Sequence, residues 1–419
     1  MNILILCSIF PYPPTKGRKQ LRTYHLLQYL KHRHQVTLVT RRTPEVTDVE
    51  ISALEKQVTE LVVFDLNPQI QPAGLIDKAK RLGVFIQHKT PPAILDNYCP
   101  ELAVWVKEAV EDNQFHVLAC EESSDEIYVD RHWHQQLGVI LNLHFSEYGR
   151  YKQQLAAGDS ANELKDQINL GLRKRYEQSY LEKFSSIITV TSKDKSMVRE
   201  LDPESKIAII SNGVDTAKFF RRITNQGGQR IVFVGNMNQS MNIDAARFLA
   251  IEVFPAIRDR YPEALLELVG AEPTSEVLEL NQLPGVLVTG KVTDVVEYLH
   301  WATVCVLPIR QGYGLRNRTL EAMASGVPVV ASDRALSEFK VDGSGVPLRA
   351  MRANTLEEYI YAIGRLFSEP KLREKLSENG RSLVESEYTW DKIGQKYERV
   401  LLNSQSQDNY QPTTDNPKP

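Results

Sequence analysis

The sequence predicts an α/β protein built from two doubly wound parallel sheets, one in each half of the chain. The first half opens with the apolar run 2–10, a proline-rich loop, an amphipathic stretch and a second apolar run. Residues 230–269 follow the same strand–loop–helix–strand order after a polar segment. Residues 312–333 then give a glycine loop, a short helix and an apolar strand. Strands that alternate with helices are typical of a parallel sheet covered by helices.

Composition narrows the class of protein. A chain of 419 residues is long enough for two or three domains, and 42% apolar with 25% charged residues is typical of a globular protein. The formal net charge of -3 gives no reason to expect nucleic acid as a partner. The run 2–10 has no basic segment before it, so we interpret it as a strand and not as a signal peptide.

The sequence shows no clear pattern of metal-binding or redox-active residues. The four cysteines are far apart, which favours buried thiols in a reducing cytoplasm over a metal knuckle or a redox pair. His132 and His134 have no third ligand nearby, so we place them on the surface and expect no metal site.

The loop after the first strand is a candidate ligand site, because ligands of parallel sheets bind at the carboxyl ends of the strands. In this loop, residues 11–19, Gly17 would let a ligand approach the backbone. Lys16, Arg18 and Lys19 add positive charge. The alternative is a plain crossover loop.

Two further strands of the first half end in groups that could carry chemistry. The strand 117–120 is followed by Glu121, and the strand 138–143 by His144. Neighbouring strand ends would bring the carboxylate and the imidazole to the same edge of the sheet.

The basic segment 69–90 has two interpretations. Its mixture of apolar and basic residues could lie on an anionic membrane surface as a peripheral contact. A helix with one buried and one solvated face is the commoner meaning of such a pattern, and we favour it. No apolar run is long enough to span a bilayer, so we expect a cytoplasmic protein whose membrane contact is at most peripheral.

The domain boundary is predicted at a turn and a polar stretch in the middle of the chain. Asn212-Gly213 is a strong turn signal, and the residues after it are polar up to the next apolar strand. The final residues are rich in Gln, Asn, Pro and Thr, which favours disorder. We predict a first domain over 1–215, a linker over 216–229, a second domain over 230–385, a terminal helix over 386–403 and a disordered tail over 404–419.

The glycine loop of the second half has the chemistry of a nucleotide-diphosphate pocket. Gly312 and Gly314 allow close approach of a ligand, and the helix start behind them offers unpaired N–H groups to a phosphate. Arg316 and Arg318 add two cations, and Glu321 in the first turn can accept hydrogen bonds from sugar hydroxyls. The alternative is an ordinary loop–helix–strand joint.

Five stretches, in chain order, resemble the family 4 retaining glycosyltransferases (glycosyl transferases group 1), in particular a polysaccharide-associated branch. The most specific is TLEAMASGVPVVAS, which is similar to the LEAMA-x-G-x-PVV signature of that family. The other four are PYPPTKGRKQLRTYHLLQYL, IISNGVDTAKF, IVFVGNMNQSMNIDAARF and SEYTWDKIGQKY.

The resemblance implies the GT-B fold, in which two Rossmann-like domains face each other across a cleft. It also implies a metal-independent enzyme without a cofactor, which moves a sugar from a nucleotide-diphosphate donor to a glycan or lipid-linked glycan acceptor with retention of configuration. Glu321 matches the glutamate that binds the ribose, and residues 290–292 match the loop that meets the base. The donor-binding candidates are Gly17, Gly235, Asn236, Gly290, Lys291, Val292, Gly312, Gly314, Arg316, Asn317, Thr319, Leu320 and Glu321.

The sequence departs from the family pattern in the groups that carry charge. Tyr313 stands where many members have a second glutamate, and Asn236 and Asn242 occupy the region of the usual Arg and Lys. A diphosphate still requires cations, so we predict that Arg316 and Arg318 supply them.

The catalytic candidates are Glu121, His144 and Arg318. Many members have a histidine at the end of the strand 117–120, where this chain has Glu121. The sequence leaves open whether Glu121 or His144 faces the anomeric carbon.

Two other functions fit the same motifs. A nucleotide-sugar 2-epimerase shares the fold and would use Glu121 with His144 as acid and base. A catalytically silent sugar-nucleotide-binding subunit would explain the missing glutamate and histidine. A dehydrogenase is disfavoured, because neither glycine loop completes G-x-G-x-x-G.

Overall fold

The computed structural model describes residues 1–66, 83–87, 89–156, 163–224, 227–311 and 317–404. The chain divides into two compact units. The first contains Met1–Ser211 and the end of the chain from Ile393, and the second contains Asn212–Lys392.

The first unit is built on a parallel sheet of seven strands in the order β3-β2-β1-β4-β5-β6-β7. Because the chain runs outward from β1 in both directions, the strand order reverses between β1 and β4. That reversal makes a crevice at the carboxyl ends of these two strands. The strands are β1 (Asn2–Cys7), β2 (Gln35–Arg42), β3 (Glu60–Asp65), β4 (Val117–Cys120), β5 (Gly138–Leu143), β6 (Ser186–Thr189) and β7 (Ile207–Ile209).

The hydrophobic core of this unit is built on its apolar central strands. All four residues of β4 and all six of β5 are buried, as expected for central strands covered on both faces. The helices are α1 (Arg18–Leu30), α2 (Asp48–Glu55), α3 (Pro92–Leu95), α4 (Pro100–Glu111), α5 (Glu147–Ala156), α6 (Glu163–Leu181) and α7 (Ser192–Leu201).

The second unit has a parallel sheet of six strands in the order β10-β9-β8-β11-β12-β13. Here the strand order reverses between β8 and β11, which are paired in parallel. The strands are β8 (Arg230–Val234), β9 (Leu265–Val269), β10 (Val286–Gly290), β11 (Val304–Leu307), β12 (Val329–Ala331) and β13 (Met351–Arg352).

The first helix of the second unit differs from its prediction. We expected one helix over 243–258, whereas α8 (Ser240–Arg247) continues through a π-helical turn (Phe248–Val253) into α9 (Phe254–Arg260). Pro255 stands at the start of α9, and its missing N–H and fixed ring are incompatible with an uninterrupted α-helical ladder.

Seven more α-helices follow α9 along the described chain. The terminal helix begins at Trp390 in the second unit and continues into the residues assigned to the first. They are α10 (Ser275–Leu278), α11 (Val295–Trp301), α12 (Asn317–Ala324), α13 (Asp333–Leu336), α14 (Leu356–Ser368), α15 (Pro370–Glu387) and α16 (Trp390–Asn403).

The predicted fold class is confirmed: the protein has two α/β units, each with an all-parallel sheet. All four cysteines are buried free thiols. The predicted basic segment 69–90 lies outside the described residues over 69–82 and at 88, as does the predicted tail over 405–419. None of the described helices is long and apolar enough to cross a membrane.

Candidate functional site

The candidate donor site lies in the second unit, where the strand order reverses. Gly235 and Asn236 directly follow β8, and the chain leaving β11 leads to the start of α12. In open parallel sheets this is the crevice that takes a ligand. Gly312, Gly314 and Arg316, three of the predicted donor-binding residues, lie outside the described residues.

The backbone at the end of β8 is packed too closely to accept a side chain. A Cβ on Gly270 would lie 1.6 Å from the carbonyl oxygen of Gly235, and a Cβ on Gly235 would lie 2.8 Å from the Asn242 side chain. Asn242 Nδ2 also donates a hydrogen bond of 2.8 Å to the carbonyl of Asn236. The two glycines and Asn242 therefore fix the shape of the Gly235-Asn236 loop, and Asn242 is occupied in doing so.

Gly270→Ala is expected to destabilise the second unit by about 3 kcal/mol or more, because the new methyl group would meet backbone that cannot rotate away. Gly364→Ala is the matched control, since a Cβ there has its nearest neighbour, Tyr261 Oη, at an ordinary 3.5 Å. Denaturant unfolding of both variants measures the difference. Equal midpoints for the two variants would contradict this account of the loop.

The start of α12 presents an ion pair at the candidate pocket. The guanidinium of Arg318 contacts the Glu321 carboxylate one turn along the helix, and their side chains are 43% and 15% exposed. Burial, followed by the negative charge of Glu321, raises the pKa of the Cys305 thiol to about 12, so the pair lies close to β11. A carboxylate and a cation thus stand together beside the central strand of this sheet.

Three other predicted donor residues on α12 have structural contacts. Asn317 Oδ1 accepts a hydrogen bond of 3.3 Å from Asn212, and Thr319 Oγ1 donates one of 3.2 Å to the carbonyl of Ala335. Thr319 and Leu320 are fully buried. The side chains of these residues hold α12 in place. Their backbone N–H groups are therefore the atoms that could contact a nucleotide-sugar donor.

The end of β10 has a backbone shape that favours glycine. Gly290 has a φ of +67°, in the left-handed region where a side chain is strained. Lys291 after it is exposed, and Val292 is half-buried. The left-handed backbone conformation is therefore a reason for glycine at position 290 that does not depend on a ligand.

Gly17 does not have the feature for which the sequence singled it out. It caps the N-terminus of α1 with a φ of -175°, which is extended backbone that any residue can adopt. A Cβ there would meet only the end of the flexible Gln20 side chain, at 2.5 Å. Nothing in the backbone of this loop therefore requires a glycine.

The crevice of the first unit contains Glu121 in a buried network. Its carboxylate is 1% exposed and accepts hydrogen bonds from Tyr397 Oη at 2.8 Å, Asn142 Nδ2 at 3.0 Å and Thr23 Oγ1 at 3.1 Å. The buried Arg22 donates to Asn142 Oδ1 at 3.3 Å and adds positive charge nearby. The recorded hydrogen-bond partners of the Glu121 carboxylate are thus protein groups from α1, β5 and α16, which favours a structural role over contact with a sugar.

His144 lies beside the carboxylate of Glu122, which was not among the predicted site residues. Its Nε2 is 3.7 Å from Glu122 Oε1 and has no hydrogen-bond partner. Burial, then the charges of Arg22 and Lys19, hold the pKa of His144 well below its usual value. Burial raises the pKa of Glu122 to about 7 against the charge of Lys19, whose ammonium contacts it. Of the two catalytic candidates on this unit, His144 is the one with a side-chain nitrogen that is buried and has no hydrogen-bond partner.

Asp125 completes this cluster and was missed, although it lies in the same acidic run EESSDE. It is fully buried and accepts hydrogen bonds from the backbone N–H groups of Ser8 at 3.1 Å and Glu122 at 3.0 Å. Burial raises its pKa to about 8. The signal that could have found it is the spacing of a capping box after a strand end.

The first unit is expected to lose stability as the pH rises from about 4 to about 8. Asp125 and Glu122 have folded pKa values of about 8 and about 7, above their ordinary 3.8 and 4.5, so the folded form binds more protons in this window. Hydrogen exchange of the β4 amides measures this local stability. Asp125→Asn should flatten the slope by up to about 1.4 kcal/mol per pH unit. An unchanged slope in the variant would contradict the assignment.

Among the described residues, no group of three or more His, Cys, Asp or Glu side chains has an arrangement that could hold a metal ion.

Two family models match the chain, one on each half. Residues 20–218 match the model described as Glycosyltransferase Family 4, and residues 228–369 match Glycosyl transferases group 1. The second match includes the whole candidate donor site described above.

Curated relatives cover part of the chain. The lipopolysaccharide 1,2-N-acetylglucosaminetransferase of Salmonella typhimurium is 23% identical over 257 residues, which is 55% of this chain and 66% of the relative. The capsular polysaccharide biosynthesis glycosyltransferase CapM of Staphylococcus aureus is 24% identical over 243 residues, 52% of this chain and 62% of the relative. The matches thus span less than two thirds of these relatives' own length.

Solved structures share the whole fold. Sucrose-phosphate synthase from Thermosynechococcus elongatus superposes with a TM-score of 0.64 at 19% identity, over 96% of this chain and 99% of the other. Anabaena Alr3699/HepE, in complex with UDP, gives a TM-score of 0.62 at 13% identity, over 96% of this chain and 100% of the other. The two family models together cover residues 20–218 and 228–369, so the chain belongs to the family 4, group 1 glycosyltransferases. The solved structures show that it has the GT-B fold.

Proposed function

We propose that the protein is a retaining glycosyltransferase that moves a sugar from a nucleotide-diphosphate sugar to a glycan or lipid-linked glycan, without a metal ion or cofactor. The donor binds in the second unit, at the crevice between β8 and β11. Glu321 accepts hydrogen bonds from the ribose hydroxyls, and Arg318, with Arg316, neutralises the diphosphate.

One observation carries this proposal: the Arg318–Glu321 pair at the first turn of α12. Its two charges match the two chemically different parts of a nucleotide sugar, because a carboxylate accepts from hydroxyl groups and a guanidinium donates to phosphate oxygens. The helix start adds backbone N–H groups with a positive dipole end. The adjacent Gly235-Asn236 loop is held in a fixed shape by Gly270 and Asn242.

The relatives support the same class of reaction. Those named above act in lipopolysaccharide and capsular polysaccharide synthesis by their names, and the HepE structure contains UDP. We infer a polysaccharide or lipid-linked glycan as acceptor from the names, and a nucleotide-diphosphate sugar as donor from the chemistry of α12.

The proposed chemistry depends on charge stabilisation. As the bond between the anomeric carbon and the diphosphate breaks, negative charge grows on the departing phosphate, and the donor phosphate takes the proton of the acceptor hydroxyl. Arg318 stabilises that charge, which is where a fixed cation lowers the barrier most. His144, neutral at pH 7, lies on the first unit with its Nε2 available for a hydrogen bond to a substrate.

A thermal-shift screen against UDP-, GDP- and ADP-sugars tests donor binding. Binding to the folded state raises the midpoint by mass action, so the cognate nucleotide should give a concentration-dependent shift. The shift should persist in EDTA, and it should be smaller in Glu321→Gln. No shift with any nucleotide would contradict the proposal.

NMR of the donor sugar separates the proposed reaction from the alternatives. Slow hydrolysis of the donor alone, with transfer and retained configuration when a glycan is added, supports the proposal. Inversion at C2 without an acceptor would show an epimerase instead. Donor binding without transfer to any glycan would identify a silent binding subunit.

A further inference from the structure

The first unit contains a cavity of about 470 Å³ at the carboxyl ends of β1 and β2, separate from the Glu121 network. It is lined by side chains of the loop after β1, by the end of β2 and by the segment around α3. Its lining includes Phe10, Tyr12, Lys16, Arg41, Asn97 and Tyr128.

Arg41 is the feature of this cavity that calls for a ligand. It lies near the end of β2 and is only 7% exposed. One Nη atom donates to the carbonyl of Asn97 and lies 3.5 Å from Tyr128 Oη, while its Nε has no hydrogen-bond partner. Among the residues that the structure describes, no carboxylate forms an ion pair with it.

The surrounding charges do not compensate this guanidinium. The recorded lining includes Lys16 and Arg41 but no Asp or Glu, and Lys16 is paired 3.0 Å from Glu50. The buried carboxyl of Asp125 accepts from backbone N–H groups and forms no ion pair with Arg41; burial raises its pKa to about 8, although the charge of Arg41 lowers it in part. A buried cation without a counter-charge is costly, and a bound anion removes that cost.

The other walls of the cavity are aromatic and suit the ring of an organic molecule that carries such an anion. Phe10 and Tyr128 are buried, and Tyr128 stacks on Tyr98 with ring centroids 5.5 Å apart. Tyr12 packs on Tyr24 at 5.8 Å. An apolar, aromatic cavity with a few fixed polar groups is typical of a site for a small organic ligand.

We propose that this cavity binds an acceptor sugar that carries an oxyanion, a phosphate or a carboxylate, with Arg41 as its counter-ion. The proposal rests on the transferase function proposed above and specifies its acceptor: the growing glycan presents an acidic residue to the first unit. Arg41 thereby selects charged over neutral acceptors.

The test is binding of four probes to the full chain: glucose 6-phosphate, glucuronate, inorganic phosphate and glucose. At least one charged sugar should bind and raise the midpoint of unfolding, whereas glucose should not. The phosphate and the carboxylate arms show which oxyanion the site prefers. Inorganic phosphate should bind more weakly than a preferred sugar phosphate, because it leaves the aromatic walls unoccupied.

Variants at neighbouring positions of one strand make the test specific. Arg41→Gln should weaken binding of the charged sugar by roughly tenfold or more, the scale of a charge-assisted hydrogen bond, and Arg41→Lys should retain part of it. Arg42→Gln is the matched control, because Arg42 pairs with Asp48 at 3.1 Å and Asp65 at 2.6 Å and is not among the recorded lining residues. Equal binding of charged and neutral sugars, or equal losses in the Arg41→Gln and Arg42→Gln variants, would overturn the proposal.

Two further measurements keep this inference distinct from the proposed function. UDP binding is measured in every variant, and Arg41→Gln should leave it unchanged because Arg41 lies in the first unit. Nucleotide binding and glycan transfer without any preference for acidic sugars would overturn the acceptor proposal alone. Binding of acidic sugars through Arg41 without glycosyl transfer would count against the transferase function. Should Arg41→Gln fail to fold, Arg41→Lys supplies the comparison, and unchanged affinity in that variant would overturn the site.

Discussion

Arg318→Ala is expected to lower turnover by roughly 100- to 1,000-fold, the loss that follows removal of one electrostatic stabiliser of a transition state. Arg318 is 43% exposed and contacts only the carboxylate of Glu321 among its recorded partners, so its removal should change the free energy of unfolding by less than about 1 kcal/mol. The measurement is kcat with saturating donor, accompanied by denaturant unfolding. The effect therefore appears in the reaction and not in the fold.

The control for this prediction is Arg247→Ala. Arg247 is also on the second unit, is 46% exposed and is 3.5 Å from Glu276, but it lies at the far end of α8 from the Gly235-Asn236 loop. Its loss should leave turnover within about twofold, as for a surface ion pair. Near-normal turnover in Arg318→Ala would rule out the replacement of the usual cations by this residue. A larger nucleotide Kd with unchanged kcat would indicate instead that Arg318 positions Glu321.

Glu121→Ala is expected to destabilise the first unit by about 3–5 kcal/mol, the cost of removing one partner from a buried charged network. The substitution leaves the Tyr397 hydroxyl, the Asn142 amide and the Thr23 hydroxyl without their acceptor, and it removes the negative charge beside Arg22. Hydrogen exchange of the β4 and β5 amides, with denaturant unfolding, measures the loss.

Glu121→Gln separates the structural role of Glu121 from a catalytic one. Glutamine keeps the shape but offers one acceptor oxygen where glutamate offers two, so a loss of about 1–3 kcal/mol is expected. Glu55→Gln, an exposed substitution on α2, should be neutral within about 0.5 kcal/mol. A Glu121→Gln variant with normal stability and no turnover would restore Glu121 as the group at the anomeric centre and would count against His144.

The predicted strands and helices agree with the structure where the apolar periodicity of the sequence is strong. The apolar run at the N-terminus became β1, although the strand ends at Cys7 and the loop begins earlier than the run 2–10 suggested. The helix expected over 243–258 lies within the helical segment 240–260, but the prediction did not include its π-helical turn, because apolar spacing does not show how the chain accommodates Pro255. The role of Arg318 and Glu321 stays a prediction, and the structure adds that the two are in contact.

The first-unit site could not be predicted in the same way. Glu121 and Glu122 are adjacent in sequence and both follow β4, yet one is enclosed by protein donors and the other faces Lys19 and His144. Alternation along an extended chain sends neighbouring side chains to opposite sides, and which side is enclosed depends on Tyr397, a residue 276 positions away. Arg41 was missed because it belongs to β2, a strand whose sequence predicts a part of the hydrophobic core and not a ligand site.

By itself, the sequence determined that this chain has two parallel-sheet units, that it resembles one glycosyltransferase family, and that a glycine loop, two arginines and a glutamate stand at the start of one helix. These are local patterns, fixed by periodicity, glycine and charge over short stretches of chain. Only the tertiary structure decided which carboxylate is enclosed, that Gly270 must be a glycine because Gly235 passes beside it, and that Arg41 lines a cavity without a counter-ion. The physical reason is that burial and charge compensation depend on groups brought together from distant parts of the chain, and the sequence order does not state those contacts.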